Sequence, residues 1–326
     1  MICEFLKKIF DYIIFFITTF LNALIPDLSP KNKEYINKII KGQILYTKTD
    51  TLLRKEPNSS SDLITIINKG NKVEYLNETI IKDDGTKYDK VKLLKNKLYQ
   101  LEEIGFVLRS QLSDTIINED ENSISIKSKI KIIKEAYNIL NSKTAFSMEY
   151  PKRLGGFENI KYDDKYYFDC SSFCSCILNR TFNFPPPQEN KDKKEIKAWS
   201  TYMYLENIQK KDSIFNVVQE IYVEGKVIDL NKLQIGDCIL GQSSNINNGM
   251  NHIMLYVGEG YIIHCTKGRY LGIKTNKMRD GVVKESLIGI NYYTELENLQ
   301  NIKNGNITKR FDVRILVLRY KEKKEE

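Results

Sequence analysis

Cys170, His252 and His264 are the side chains of this sequence best suited to covalent chemistry. Cys170 directly follows Asp169, and apolar or Cys residues then recur at Cys170, Phe173, Cys174, Ile177 and Leu178. That is the i, i+3, i+4, i+7, i+8 spacing of a half-buried helix. Asp169 is the expected N-cap, its carboxylate accepting from a free N–H of the first turn. Cys170 then lies where orphan N–H groups and the positive end of the helix dipole favour an anion. The spacing therefore predicts a lowered thiol pKa, with thiolate forming near neutral pH. A core cysteine can occupy the same place with no catalytic role, so Cys170 alone does not settle the chemistry.

The histidines add a base. The chain has only two, His252 and His264, twelve residues apart in one segment. The β-rich runs around them flank Gly258-Glu259-Gly260, which reads as a hairpin. A turn centred on Gly258 pairs the two histidines directly across antiparallel strands. A turn centred on Glu259 makes them diagonal neighbours on one face. A plain two-residue turn puts them on opposite faces unless a bulge restores the parity. A Cys at a helix N-terminus with a His from a strand is the arrangement of a thiol hydrolase. The second His would orient the first through a ring nitrogen.

These residues also resemble a family. Asp-Cys-Ser-Ser-Phe at 169–173 is similar to the DCSGF signature of NlpC-type peptidases, papain-like endopeptidases of bacterial cell walls, with Ser172 standing at the Gly. Leu233 through Leu240 resembles their L-x-P-G-D-L strand, His252 through Val257 their H-V-G-I-Y-V, and Ile263-His264 their I-H-A. Tyr150 followed by Gly155-Gly156 resembles a stretched Y-x-W-G-G, with Leu154 in place of the Trp. The resemblance spans about residues 130–320. It implies a Cys170-His252-His264 triad and no metal or organic cofactor. It implies peptidoglycan or muropeptides as substrate, cut between D-glutamate and the diamino acid of the stem peptide. It also implies that Tyr150, Asp169 and Ser171 line the pocket and read the amino end of the peptide. An amidase cutting between sugar and peptide, a thiol acyltransferase, and a non-catalytic wall-binding protein are the alternatives.

Composition narrows the classes. The net charge of +8 suits an anionic cell wall, and equally nucleic acid. The sequence has no zinc-finger spacing, no arginine cluster and no phosphate loop, so nucleic-acid binding is not expected. Of the six cysteines, Cys174, Cys176, Cys238 and Cys265 fall within the motif segments and read as buried free thiols rather than a disulfide framework. Cys265, beside His264, reads as a small core residue.

The fold class expected is α+β: a papain-like domain, with its nucleophile helix packed on an antiparallel sheet, preceded by a small SH3-like β-barrel. Residues 1–26 form a hydrophobic membrane anchor or signal segment, whose apolar run, residues 9–25, lies near the lower limit of about 17–20 residues for a membrane span. An uncleaved anchor, an export signal and an amphipathic core helix all fit that run. Lys7-Lys8 before it places the remainder outside the cytoplasm, membrane-anchored or secreted and facing the wall. A linker at 27–41 leads to short β runs over 42–113. There, Leu52-Leu53-Arg54 with Pro57-Asn-Ser-Ser60 and Gly105-Phe106-Val107 resemble the L-N-V-R-x-x-P-S and closing G-W-V of bacterial SH3-like domains. A second linker covers 114–128, the peptidase domain 129–320, and a solvated charged tail 321–326. Ile130, Ile133, Tyr137 and Leu140 mark a lead-in helix packed on that domain, and Trp199 to Ile208 reads as core.

Overall fold

The computed structural model describes residues 42–118, 123–149, 151–183, 198–222, 228–242, 252–268, 279–287 and 314–322. The apolar run at 9–25, the linker at 27–41, Tyr150 and the end of the charged tail lie outside the described residues. Among the described residues, no helix is long and apolar enough to cross a membrane. The chain divides into two compact units, residues 1–119 and 120–326.

The first unit is a seven-stranded antiparallel sheet in the order β3-β2-β6-β5-β4-β1-β7. Its strands are β1 (Gln43–Thr47), β2 (Thr51–Arg54), β3 (Leu63–Ile67), β4 (Lys72–Ile81), β5 (Lys87–Leu93), β6 (Glu103–Leu108) and β7 (Leu112–Ser113). Leu52, Leu53, Ile66, Ile67, Val91 and Val107 make its core. Gly105 has a local reason: a Cβ there would press on the carbonyl oxygen of Arg54 and the side chain of Ile64.

The second unit is α+β. Helix α1 (Ile126–Leu140) precedes a small sheet of β8 (Thr144–Phe146), β9 (Lys161–Tyr162) and β10 (Lys165–Phe168). Helix α2 (Cys170–Phe182) follows β10 after a single residue, and α3 (Thr201–Ile208) comes next. The remaining strands are β11 (Phe215–Tyr222), β12 (Cys238–Gln242), β13 (His252–Gly258), β14 (Tyr261–Gly268), β15 (Arg279–Ser286) and β16 (Arg314–Tyr320). They form an antiparallel sheet in the order β11-β16-β12-β13-β14-β15. Helix α2 packs against α1 and against β13 and β14. On one face of the sheet, Ile239, Met254, Tyr256, Ile262, Ile315 and Val317 form a buried cluster.

Local chemistry explains the motif segments. Gly236 has φ +99°, a conformation other residues adopt only at a cost. It delivers Asp237 to the core, where both carboxylate oxygens meet Arg319 of β16, at 2.8 and 2.9 Å. Arg319 is 2% exposed and Asp237 fully buried, and the main chain supplies the remaining partners: Gln234 donates to Asp237, and Arg319 to the Lys232 carbonyl. A buried pair tolerates desolvation only when its hydrogen bonds are satisfied in this way.

Three expectations change. Helix α1 begins at Ile126, inside the stretch read as linker, because Ser125 caps it by accepting from the N–H of Ser128. Its buried stripe is Lys129, Ile132, Ile133, Ala136 and Ile139, so Ile130, Tyr137 and Leu140 lie at the flank, about one residue round from the predicted face. Glu322 is not a solvated tail residue: its carboxylate accepts from the Ser125 N–H at 2.6 Å and the Ser125 hydroxyl at 2.9 Å, satisfying the positive end of α1.

Gly156 fixes the approach to α2. It donates its N–H to the Tyr167 carbonyl at 3.0 Å, and an added Cβ would overlap the Phe168 ring. Gly156→Ala should therefore lower stability by roughly 1–3 kcal/mol through overpacking. This would be read as a lower urea midpoint at unchanged slope, and an unchanged midpoint would contradict the packing described.

Candidate active site

Helix α2 starts where the sequence predicts, and Asp169 caps it. In extended conformation (φ −102°, ψ −179°), Asp169 accepts from the N–H of Ser172 at 2.6 Å, and its own N–H donates to the Ser172 hydroxyl at 2.9 Å. This is a capping box with Ser in the third position. The Ser172 hydroxyl also donates to the Arg153 carbonyl at 2.9 Å, which ties the helix start to the segment before Gly155-Gly156. Ser172 is fully buried, so a hydroxyl where the resemblance has Gly is a structural link in this chain.

Asp169 is more heavily engaged than its motif suggests. Its Oδ1 also accepts from the Ser171 hydroxyl at 2.9 Å, and its Oδ2 lies 2.6 Å from Nε of Arg153. A guanidinium therefore already neutralises the carboxylate expected to read an amine. Arg153 is a functional residue that the sequence does not single out beside Tyr150 and the Gly pair. A basic residue three positions past an aromatic gives no signal that it will fold back onto a cap sixteen residues later.

The expected pKa direction at Cys170 is reversed. Part of the residue stays exposed, but protein surrounds the sulfur, and burial pushes the thiol up to about 12. The negative charge of Asp169 adds to the rise, while the N–H groups of Ile253 and Ser171 and the charge of Arg153 oppose it. The magnitudes explain the outcome. A helix terminus contributes roughly 0.3–1 kcal/mol, at most about 2, or about 1.5 pKa units. Full burial is worth about 3–5 units. Burial also pushes up the Cys174, Cys176 and Cys265 thiols, and these three with Cys238 are free and buried.

The histidine hairpin combines two of the registers open in the sequence. Gly258 pairs with Tyr261, so the turn is the two-residue Glu259-Gly260, both at positive φ (55° and 76°). That is the turn sense that suits strand twist. One strand step back, Tyr256 pairs with Ile262, because a bulge between Tyr256 and Gly258 shifts the register. The bulge restores parity, and the two histidines become diagonal neighbours on one face. His252 Nε2 lies 2.6 Å from His264 Nδ1, the rings 4.9 Å apart and inclined at 78°. Beyond them, His264 Nε2 lies 3.3 Å from Glu285 Oε2, with side-chain exposures of 1% and 5%. Glu285 was not anticipated: a single acid near the end of a mixed polar and apolar run reads as a solvent-facing charge.

Cys170 and His252 line one cavity of about 370 Å³. Arg153, Asp169 and Ser171 share its wall, Phe146 and Met148 give it an apolar side, and Ser200 and Thr201 enter from the start of α3. Of Trp199 to Ile208, read as core, only Trp199 and Tyr204 are buried; Tyr202 is 61% exposed, and the polar residues Ser200 and Thr201 at the helix start reach the cavity. His264 stays behind His252, fully buried. A depression of similar size, about 390 Å³, lies in the first unit, but it is walled by Glu74, Glu78, Lys90 and Lys92 and holds no nucleophile. Among the described residues, no group of three His, Cys, Asp or Glu is placed to hold a metal.

The raised thiol makes a pH prediction. Only the thiolate reacts with iodoacetamide, so an acid with a pKa of about 12 gains reactivity steadily as pH rises towards that value. In His252→Ala, alkylation of Cys170, followed by peptide mass, should rise about tenfold per pH unit from about pH 6 to 9 without a plateau. An inflection inside that range would contradict a thiol held protonated by burial.

The NlpC/P60 family model matches residues 152–291, a span that contains Arg153, Cys170, both histidines and Glu285. No curated protein matches the chain. Among solved structures, NlpC2 from Trichomonas vaginalis is 15% identical over 75% of this chain and 67% of its own, with a TM-score of 0.22. NlpC1 from the same organism is 15% identical over 75% and 64%, with a TM-score of 0.26. An NlpC/P60 family protein from Bacillus cereus is 14% identical over 89% and 66%, with a TM-score of 0.30. The chain thus spans about two thirds of the length of each of these proteins. These likenesses are distant and carry no argument, and what the comparisons show is that the NlpC/P60 family model matches residues 152–291, the part of the chain that holds Cys170 and both histidines.

Proposed function

We propose that the protein is a cysteine endopeptidase that hydrolyses peptidoglycan stem peptides at the bond between D-glutamate and the diamino acid. The observation that carries this reading is a cysteine at a capped helix start sharing a cavity with a histidine that is hydrogen-bonded to a second, buried histidine. Family membership supports the substrate, since NlpC/P60 proteins are typically cell-wall peptidoglycan hydrolases.

The geometry supports the following chemistry for this reading. Cys170 rests as a thiol, so thiolate forms as the sulfur attacks rather than standing ready beforehand. The Cys170 Sγ bonds to the scissile carbonyl carbon while His252 takes the thiol proton. The resulting oxyanion meets the N–H of Cys170, in the first turn where no intrahelical acceptor exists. One such donor is typically worth about 3–4 kcal/mol. As the intermediate collapses, the C–N bond breaks and His252 returns the proton to the leaving amine. Water then attacks the thioester, giving its proton through His252 back to the sulfur, and the new carboxylate leaves. His264 keeps the His252 ring in its productive orientation.

In the same reading, Asp169, Ser171 and Tyr150 bind the amino end of the stem peptide. Arg153 is then a competitor, because an incoming ammonium must displace or share its guanidinium at Asp169. The first unit is read as an SH3-like module, with Gly105 admitting the close approach of Arg54 in its closing strand. To meet this substrate the domain faces the wall, and residues 9–25 are the segment that would carry it there.

Mass spectrometry of muropeptides after incubation with the full chain, wild type beside Cys170→Ala, tests the reading. New fragments ending in D-glutamate are expected with the wild type. The Ala variant should fall to background, a loss on the order of a millionfold for a covalent nucleophile. Free stem peptides with intact L-alanine ends would replace this reading by the amidase. No products under reducing conditions, on walls of either diamino-acid type, would overturn it.

A further inference from the structure

We propose that Glu285 is a positioning residue that sets the proton arrangement of the histidine pair, and so makes His252 a base at Nδ1. Its catalytic consequence rests on the hydrolase reading above. The proton arrangement itself is a property of the resting protein.

The sheet register places the acid. Glu285 pairs with Ile262, and His264 pairs with Val283, so Glu285 and His264 share a face as diagonal neighbours across β14 and β15. A diagonal separation of about 7–8 Å between backbones is within reach of a long side chain. Strand β15 is held in place near the cavity: the N–H of Val282 donates to the Thr144 hydroxyl at 3.0 Å, and Asp280 accepts from the N–H of Phe146 at 2.9 Å. Gly281, at φ +106°, lies against Thr144 with no room for a Cβ.

The proton logic runs inward from that acid. An ionised carboxylate only accepts, so the His264 nitrogen facing Glu285, Nε2, carries the proton. In neutral His264 the other nitrogen, Nδ1, is then an acceptor. The 2.6 Å contact between His264 Nδ1 and His252 Nε2 needs one proton between two nitrogens, and His252 supplies it. His252 is thereby protonated at Nε2 and unprotonated at Nδ1, the nitrogen that can take a thiol proton. Without the carboxylate, His264 is free to carry its proton at Nδ1 and donate it to His252 Nε2. His252 then holds its own proton on Nδ1 and cannot act as the base.

The chain holds only two histidines, so ¹⁵N-histidine labelling gives two imidazole patterns to assign. In the resting full-length wild type both rings should show Nε2–H and unprotonated Nδ1. Glu285→Gln keeps an acceptor of the same shape and should keep that pattern, with kcat on a soluble muropeptide within about tenfold of wild type. Glu285→Leu should mix the tautomers and lower kcat by about 10–100-fold with KM little changed, the size typical of lost partners behind a functional histidine. A wild-type His252 protonated at Nδ1, an unaltered spectrum in Glu285→Leu, or equal kcat losses in Gln and Leu would each overturn the proposal. If the wild type cleaves no muropeptide, the hydrolase reading fails, and the nitrogen spectra still decide the role of Glu285.

Discussion

The carboxylate of Asp169 is the joint on which the site depends. It caps α2, receives the Ser171 hydroxyl and meets the guanidinium of Arg153, so the start of α2 and the segment around Arg153 converge on one side chain. The same charge sits beside the sulfur and helps to raise its pKa, after burial. Position and activation therefore pull in opposite directions. Asp169 fixes the helix start through its hydrogen bonds, and its negative charge partly disfavours the thiolate. In the proposed mechanism the cysteine is therefore deprotonated during attack, and the burden of activation falls on the histidine pair.

That pair depends on a single extra residue in a strand. The bulge between Tyr256 and Gly258 puts His252 and His264 on one face, and without it a two-residue turn would separate them. The rest of the face is apolar: Met254, Tyr256 and Ile262 continue it into the cluster with Ile239 and Val317. The row of His252, His264 and Glu285 is buried at the end of such a face, its histidines hydrogen-bonded and its acid 3.3 Å from the second ring, and in low dielectric such polar contacts are electrostatically stronger and unmade ones more costly.

Much of this was legible from residue types at short range. The cap at Asp169, the helix after it, the two histidines around a glycine turn and the buried free thiols follow from local pattern. The short strands of the first unit do too, although β1 and β2 do not stand out as runs. What the pattern could not carry was burial and long-range packing. The dipole argument for Cys170 was correct in sign and too small, because the desolvation that overrides it arises from elements far apart in sequence. The α1 stripe was misplaced by about one position because Ala136, a weak hydropathy signal, faces the core. Arg153, Glu285 and Glu322 look like solvent-facing charges until the fold gives each a partner. Tyr150 lies outside the described residues, and its role stays with the resemblance.

The most direct test of the account is intact-protein mass spectrometry of a rapidly quenched reaction between the full-length chain and a soluble muropeptide. The account predicts a transient adduct on Cys170 equal to the amino-side fragment less one water, formed before free product and absent from Cys170→Ala. Turnover of that substrate by Cys170→Ala would contradict the thioester route and the roles assigned to the residues around it.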